Sequence, residues 1–142
     1  MIFFGYAAGR KSSVDTIRAM AHGLERECGQ ETQLWESMVV DGRVIIDRVL
    51  EQIDAAEICI FDLTQQSENV LFEIGYAIAK AKPLWLTFDT TVSSAKSGWK
   101  ELALLNPVGY TYYMNSHDLV NYFKKSDPLN NLTPVYDDLI EP

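Results

Sequence analysis

The chain has 142 residues, 47% apolar and 23% charged, which is one domain's worth of sequence with enough apolar side chain for a core and excludes a disordered chain. Its formal net charge of −8, from 20 Asp+Glu against 12 Lys+Arg, argues against direct nucleic-acid binding and against docking on anionic lipid, since both rely on basic surface. A small anionic ligand stays open, because backbone amides and one or two cations can hold it.

No apolar run reaches the roughly 18–20 residues that cross a bilayer. Residues 1–6 lack the basic start and small-residue cleavage site of a signal peptide, so the expected location is the cytoplasm. Cys28 and Cys59 form no CxxC and read as buried small hydrophobes of a reducing compartment. His22 and His117 have no ligand-like spacing, so no metal site is expected.

In chain order, strand and helix patterns alternate. Residues 2–6 form a short apolar strand that runs into a glycine-containing turn at 7–10. Ser12 or Ser13 can cap a first helix, with Asp15 in its first turn. Val14, Ile17, Met20, Ala21, Leu24 and Cys28 recur at helical spacing, and Gly29 stops that helix. Residues 32–35 predict a short second strand, 36–42 a loop, and 43–55 a second helix with Val44, Ile45, Val49, Leu50 and Ile53 inward. Residues 58–63 are nearly continuous in apolar side chains, as a central parallel strand should be, and Asp62 stands near its end.

A polar loop at 64–68 leads to a third helix over 69–80, with Asn69 as its cap and Leu71, Ile74, Ile78 and Ala81 as its buried stripe. Pro83 ends that helix, and 84–88 is the fourth strand. A small polar loop at 90–98, a short helix at 99–105, a fifth strand at 108–114 and a final helix at 117–125 capped by Ser116 complete the pattern. Residues 126–142, with three prolines, read as a tail or the start of a linker after a domain spanning 1–125. The chain could equally be one domain of a longer protein.

Strands alternating with helices through short connections predict an α/β domain: an open, flavodoxin-like, five-stranded and mainly parallel sheet with helices on both faces, in the order 2-1-3-4-5. In that order ligands sit beyond the carboxyl ends of strands one and three, where the order reverses. Three segments reach that place. The loop 4–10 offers close backbone approach and the cation Arg10, but it is neither GxxxxGK[ST] nor GxGxxG, and a tight strand-to-helix turn would look the same. Asp62 ends a strand, where its plainer role is a turn former. Glu73, one turn into the third helix, is displaced from the apolar stripe and can face the crevice beside Asp62 as a carboxylate pair; its plainer role is an early-turn acid on the helix dipole. Gly75 in the helix interior costs roughly 1 kcal/mol relative to Ala and calls for a close neighbour or ligand.

Residues 55–64 (Ala-Ala-Glu-Ile-Cys-Ile-Phe-Asp-Leu-Thr), 69–77 (Asn-Val-Leu-Phe-Glu-Ile-Gly-Tyr-Ala) and Lys82-Pro83 resemble the nucleoside 2-deoxyribosyltransferase-like superfamily. They are equally similar to bacterial TIR-like nucleotide-binding domains, whose helix reads Asn-Val-x-Phe-Glu-Leu-Gly. Leu34-Trp35-Glu36 followed by Gly42-Arg43-Val44-Ile45-Ile46 resembles the second strand and following helix of the TIR-like group. The likeness spans residues 2–88.

The resemblance implies that Glu73 and Asp62 are catalytic, Asp62 lining a ribose pocket, and that Phe4, Gly5, Tyr6, Arg10, Trp35, Ser67, Asn69 and Tyr76 contact substrate. Deoxyribosyltransferases often carry an aspartate six positions before the glutamate, and a Gly-Thr or similar pair before Phe-Glu; here those places hold Ser67 and Asn69-Val70, which favours the TIR-like group. Such domains cleave the nicotinamide–ribose bond of NAD, often in prokaryotic anti-phage systems and often only once assembled. The implied protein is therefore an N-glycosidase-type hydrolase of NAD or a related nucleotide, with the nucleotide as substrate rather than cofactor, working as a homo-oligomer or as part of a larger protein. The alternatives are a nucleoside 2-deoxyribosyltransferase and a non-catalytic nucleotide-sensing module. The chemistry suits carboxylates, because breaking an N-glycosidic bond builds oxocarbenium charge that a carboxylate can stabilise or attack.

Overall fold

The computed structural model describes residues 1–35, 45–92, 110–132 and 134. Five strands, β1 (Ile2–Gly5), β2 (Thr32–Leu34), β3 (Ile58–Asp62), β4 (Leu84–Asp89) and β5 (Tyr110–Tyr113), form one sheet in the order β2-β1-β3-β4-β5. Every neighbouring pair is parallel. The central strand β3 is buried along its whole length, which accounts for its unbroken apolar run. Strands progress one way from β1 to β2 and the other way from β3 to β5, so the order reverses between β1 and β3.

Strand alternation divides the core in two. On one face Ile2, Phe4, Ile58, Ile60, Trp85 and Tyr113 pack against α1 (Lys11–Cys28) and α4 (Ser116–Ser126). On the other, Phe3, Cys59, Phe61, Leu63, Leu86 and Phe88 pack against α2 (Ile45–Ala55) and α3 (Glu68–Ala79). A four-residue helix α5 (Pro128–Asn131) follows α4, and Pro134 bridges to Pro83. Gly29 takes the left-handed conformation (φ 66°) that ends α1, as its position after the apolar stripe predicts.

Several local expectations are corrected. Arg10, not Ser12 or Ser13, is the residue before α1, and it makes no side-chain cap. Ser67 rather than Asn69 caps α3, its Oγ accepting from the Val70 N–H at 3.4 Å, so the cap lies two residues earlier and the helix begins at Glu68. With that start, Val70, Ile74 and Ala77 are the buried stripe, while Leu71 is 38% exposed. Asn115, not Ser116, caps α4, accepting from the Asp118 N–H at 2.9 Å. Ile45 is exposed at the start of α2, whose inner face is Val49 and Ile53. Residues 36–44, the helix expected at 99–105, most of the loop before it and residues 135–142 lie outside the described residues. Among the described residues, no helix is long and apolar enough to cross a membrane.

Candidate functional site

A cavity of about 600 Å³ opens at the carboxyl ends of β1 and β3, where the strand order reverses. Among the described residues, four segments wall it. The turn after β1 contributes Tyr6, Ala7, Ala8 and Gly9; the start of α2 contributes Ile45, Ile46 and Val49; the loop into α3 and its first turns contribute Gln65, Gln66, Ser67, Asn69 and Glu73. Trp35, just past β2, completes the wall and lies against Tyr6 with ring centroids 6.3 Å apart.

Glu73 reaches this cavity because of helical phase. Val70, Ile74 and Ala77 face the sheet, and Asn69 and Glu73 stand about 100° to one side of them, over the cavity. The same side of α3 continues with Tyr76, whose hydroxyl donates to Asp54 of α2 at 2.9 Å. Space for the carboxylate comes from Gly5: a methyl group there would lie 2.3 Å from the Phe61 ring and 2.8 Å from Glu73 Oε2. No hydrogen bond joins Glu73 to another described residue, and burial alone pushes its carboxyl up to about 7. Among the described lining residues it is the sole charged group. Beside it, the Gln65 side-chain oxygen is buried without a hydrogen-bond partner among the described residues.

Asp62 does not join Glu73. Alternation along β3 sends Phe61 to the α2/α3 face, so Asp62 points to the α1/α4 face, away from Glu73. There it is 4% exposed and fully engaged. Its Oδ1 accepts from the Thr64 N–H at 3.1 Å, and its Oδ2 accepts from the Thr87 hydroxyl at 2.9 Å and the Tyr113 hydroxyl at 2.6 Å. Burial raises the Asp62 carboxyl despite these three donors, and burial together with the adjacent carboxylate raises the Tyr113 phenol. The expected carboxylate pair is therefore absent, and Asp62 ties the ends of β3, β4 and β5 together.

The other expected contacts divide. Tyr6, Trp35, Ser67 and Asn69 line the cavity with Glu73. Phe4 does not, because its place in β1 turns it into the core against α1 and α4. Gly5 lies beneath the carboxylate rather than on the wall. Arg10 is drawn off to a separate crevice of about 380 Å³, where its Nε donates to Ser12 Oγ at 3.2 Å. Tyr76 is held on α2 by Asp54 and lies under Lys80. Sequence reasoning missed Ile45 and Ile46 as cavity wall. A signal existed: adjacent helical positions lie 100° apart, so the pair could not both face the core.

The cavity thus offers one desolvated carboxylate, an exposed indole, side-chain amides and a hydroxyl. These are groups that can stack on a base, bond sugar hydroxyls and stabilise positive charge. Among the described residues, no cluster of His, Cys, Asp and Glu is placed to hold a metal.

No protein-family model matches the chain, and no curated protein matches it significantly in sequence. Its structure is similar to that of the CMP N-glycosidase BcmB of Clostridium botulinum, with a TM-score of 0.64 over 89% of this chain and 99% of that one, at 19% sequence identity. The two share the α/β fold.

Proposed function

We propose that the protein is an N-glycosidase that hydrolyses the base–ribose bond of a nucleotide, with Glu73 beside the reacting carbon. The observation that carries this is Glu73, the one carboxylate among the described lining residues, raised to about 7 by burial, in a cavity at the strand-order reversal. Heterolysis leaves the bonding electron pair on the departing base and positive charge on the sugar carbon. Ionised Glu73 stabilises that charge or bonds to the carbon; water then adds there and loses its proton. Trp35 can stack on the base, while Gln65, Gln66 and Asn69 can hold sugar hydroxyls.

The finer reading is cleavage of the nicotinamide–ribose bond of NAD. Nicotinamide is cationic in NAD and leaves neutral, so it needs no proton donor, and one carboxylate suffices. A pyrimidine mononucleotide is the second reading, favoured by the shared fold with a CMP N-glycosidase. Cytosine leaves well only when protonated, and Glu73 would then act from its protonated form.

Incubation with NAD, with CMP, and with a deoxynucleoside plus free base tests these readings through released nicotinamide, released cytosine or exchanged base. The pH profile separates the first two. NAD cleavage rises as Glu73 ionises through about pH 7, whereas cytosine release falls over the same range. Binding without any release overturns the enzymatic reading and leaves a nucleotide-binding module.

A further inference from the structure

We infer that the two isoleucines at the start of α2, Ile45 and Ile46, hold the leaving base and set which bases the cavity accepts; this rests on the function proposed above. The segments that line the cavity differ in chemistry. The loop into α3 and its first turns supply Gln65, Gln66, Ser67, Asn69 and Glu73, all polar. The start of α2 supplies Ile45, Ile46 and Val49, all aliphatic, and the ends of β1 and β2 add the aromatic pair Tyr6 and Trp35.

Ile45 is 58% exposed and Ile46 40%, although both are large and apolar. One such side chain on a surface needs no explanation. Two in sequence that open on a cavity, with the exposed Trp35 on the same cavity, do, because an apolar ligand gains by displacing water from an apolar hollow. Neither isoleucine serves the core: Val49 and Ile53, further along α2, do that. Helix propensity does not call for them either, since β-branched residues are weaker helix formers than Leu or Ala. Their branching also makes them stiff, so the wall they form keeps its shape and suits a flat, rigid ring.

Glu73 fixes which end of a substrate meets this wall. A methyl group on Gly5 would lie 2.8 Å from Glu73 Oε2, and Gly5 directly precedes Tyr6. The carboxylate therefore reaches from α3 to the end of β1, where the pair Tyr6–Trp35 starts. With the reacting carbon beside that carboxylate, a sugar towards α3 finds amides and a hydroxyl for its own hydroxyls, and the base falls towards α2. The reverse placement would set sugar hydroxyls against isoleucine, where they lose water and gain no partner. The base is thus held by its faces and its size, through apolar contact and stacking. Selection by such a wall is sensitive, since one methylene in an apolar pocket changes substrate preference by about 10–200-fold.

Titration calorimetry on the full chain tests this, in the Glu73→Gln background so that ligands are bound but not consumed. The probes are NAD, CMP and ribose 5-phosphate, the last of which has no base. Ile45→Ala and Ile46→Ala should each weaken binding of NAD or CMP by about tenfold or more. Circular dichroism should not change, because both side chains are exposed. Ile46→Leu, which keeps the apolar volume, should recover most of the affinity that Ile46→Ala loses. Ribose 5-phosphate should bind the parent and the alanine variants alike. Nucleotide affinity that both alanine variants leave unchanged overturns the inference. So does an equal loss for ribose 5-phosphate, which would put the sugar against α2, or binding of neither nucleotide. Wild-type turnover keeps the two claims apart: a protein that binds nucleotides through Ile45 and Ile46 yet releases no base keeps this inference and loses the proposed activity, whereas base release with KM unmoved by either alanine variant does the reverse.

Discussion

Asp62 and Glu73 are both acidic, both stand near the carboxyl ends of the central strands, and both have their carboxyls raised by burial. They differ in what surrounds them. Asp62 accepts three hydrogen bonds from β4, β5 and its own loop, and faces packed helices. Glu73 has no such bond with a described residue, and it faces a cavity through the gap that Gly5 leaves. A buried carboxylate whose acceptors are all used holds structure together. One that is desolvated and unsatisfied keeps its electrostatic capacity for something that is not part of the chain. In the proposed function the contrast replaces the expected catalytic pair with one chemical group, Glu73, and one structural tie, Asp62.

The largest expected effect sharpens this contrast directly. Glu73→Gln should lower base release by about 10²–10³ or more, the usual cost of one well-placed electrostatic stabiliser. Its circular dichroism should stay that of the wild type. A variant that is folded and as active as wild type breaks the assignment.

Asp62→Ala should act on stability instead. It leaves the Thr64 amide and the Thr87 and Tyr113 hydroxyls without their acceptor, at a cost of about 2–4 kcal/mol in a urea titration. The folded fraction should retain turnover. A stable but inactive Asp62→Ala protein would return Asp62 to the chemistry.

Glu73 also predicts how stability depends on pH. Its folded value of about 7 lies above the ordinary 4.5, so the folded state holds the proton more tightly than the unfolded chain. Its contribution is complete below about pH 4.5 and is lost as pH rises towards 7, by up to about 3 kcal/mol. Glu73→Gln should remove this slope, so that the variant melts higher than wild type at pH 8 and close to it at pH 4. Equal melting temperatures at both pH values would show that the carboxylate is solvated.

Tyr113→Phe removes one of the three donors to Asp62 and should cost about 1–2 kcal/mol. The smallest effects are expected where side chains were read as substrate contacts but lie elsewhere. Arg10→Gln and Tyr76→Phe should each change stability by less than about 0.5 kcal/mol and leave KM unchanged, because Arg10 lies in another crevice and Tyr76 is held by Asp54. A raised KM for either would redraw the cavity.

The strand order, the parallel sheet and the crevice between β1 and β3 were legible in the residues alone. Apolar periodicity reports burial, and the connection lengths with right-handed crossover leave few ways to arrange such strands. Glu73 was legible for the same reason: it breaks the apolar stripe of a helix whose start lies at the crevice. Cap residues were less so, because Ser67 and Asn69 are both good N-caps and the backbone path into the helix chooses between them. Packing against the sheet, not the cap, put Val70 and Ala77 in the buried stripe with Ile74 and left Leu71 outside it. Only the tertiary structure decided which face of the sheet Asp62 joins, since alternation assigns a face only once one residue of the strand is anchored. It also decided that Tyr113, far along the chain, supplies one of the donors that engage Asp62, and that Ile45 and Ile46 wall a cavity rather than fill a core. Such contacts depend on distances between segments remote in sequence, which local propensity and periodicity do not encode.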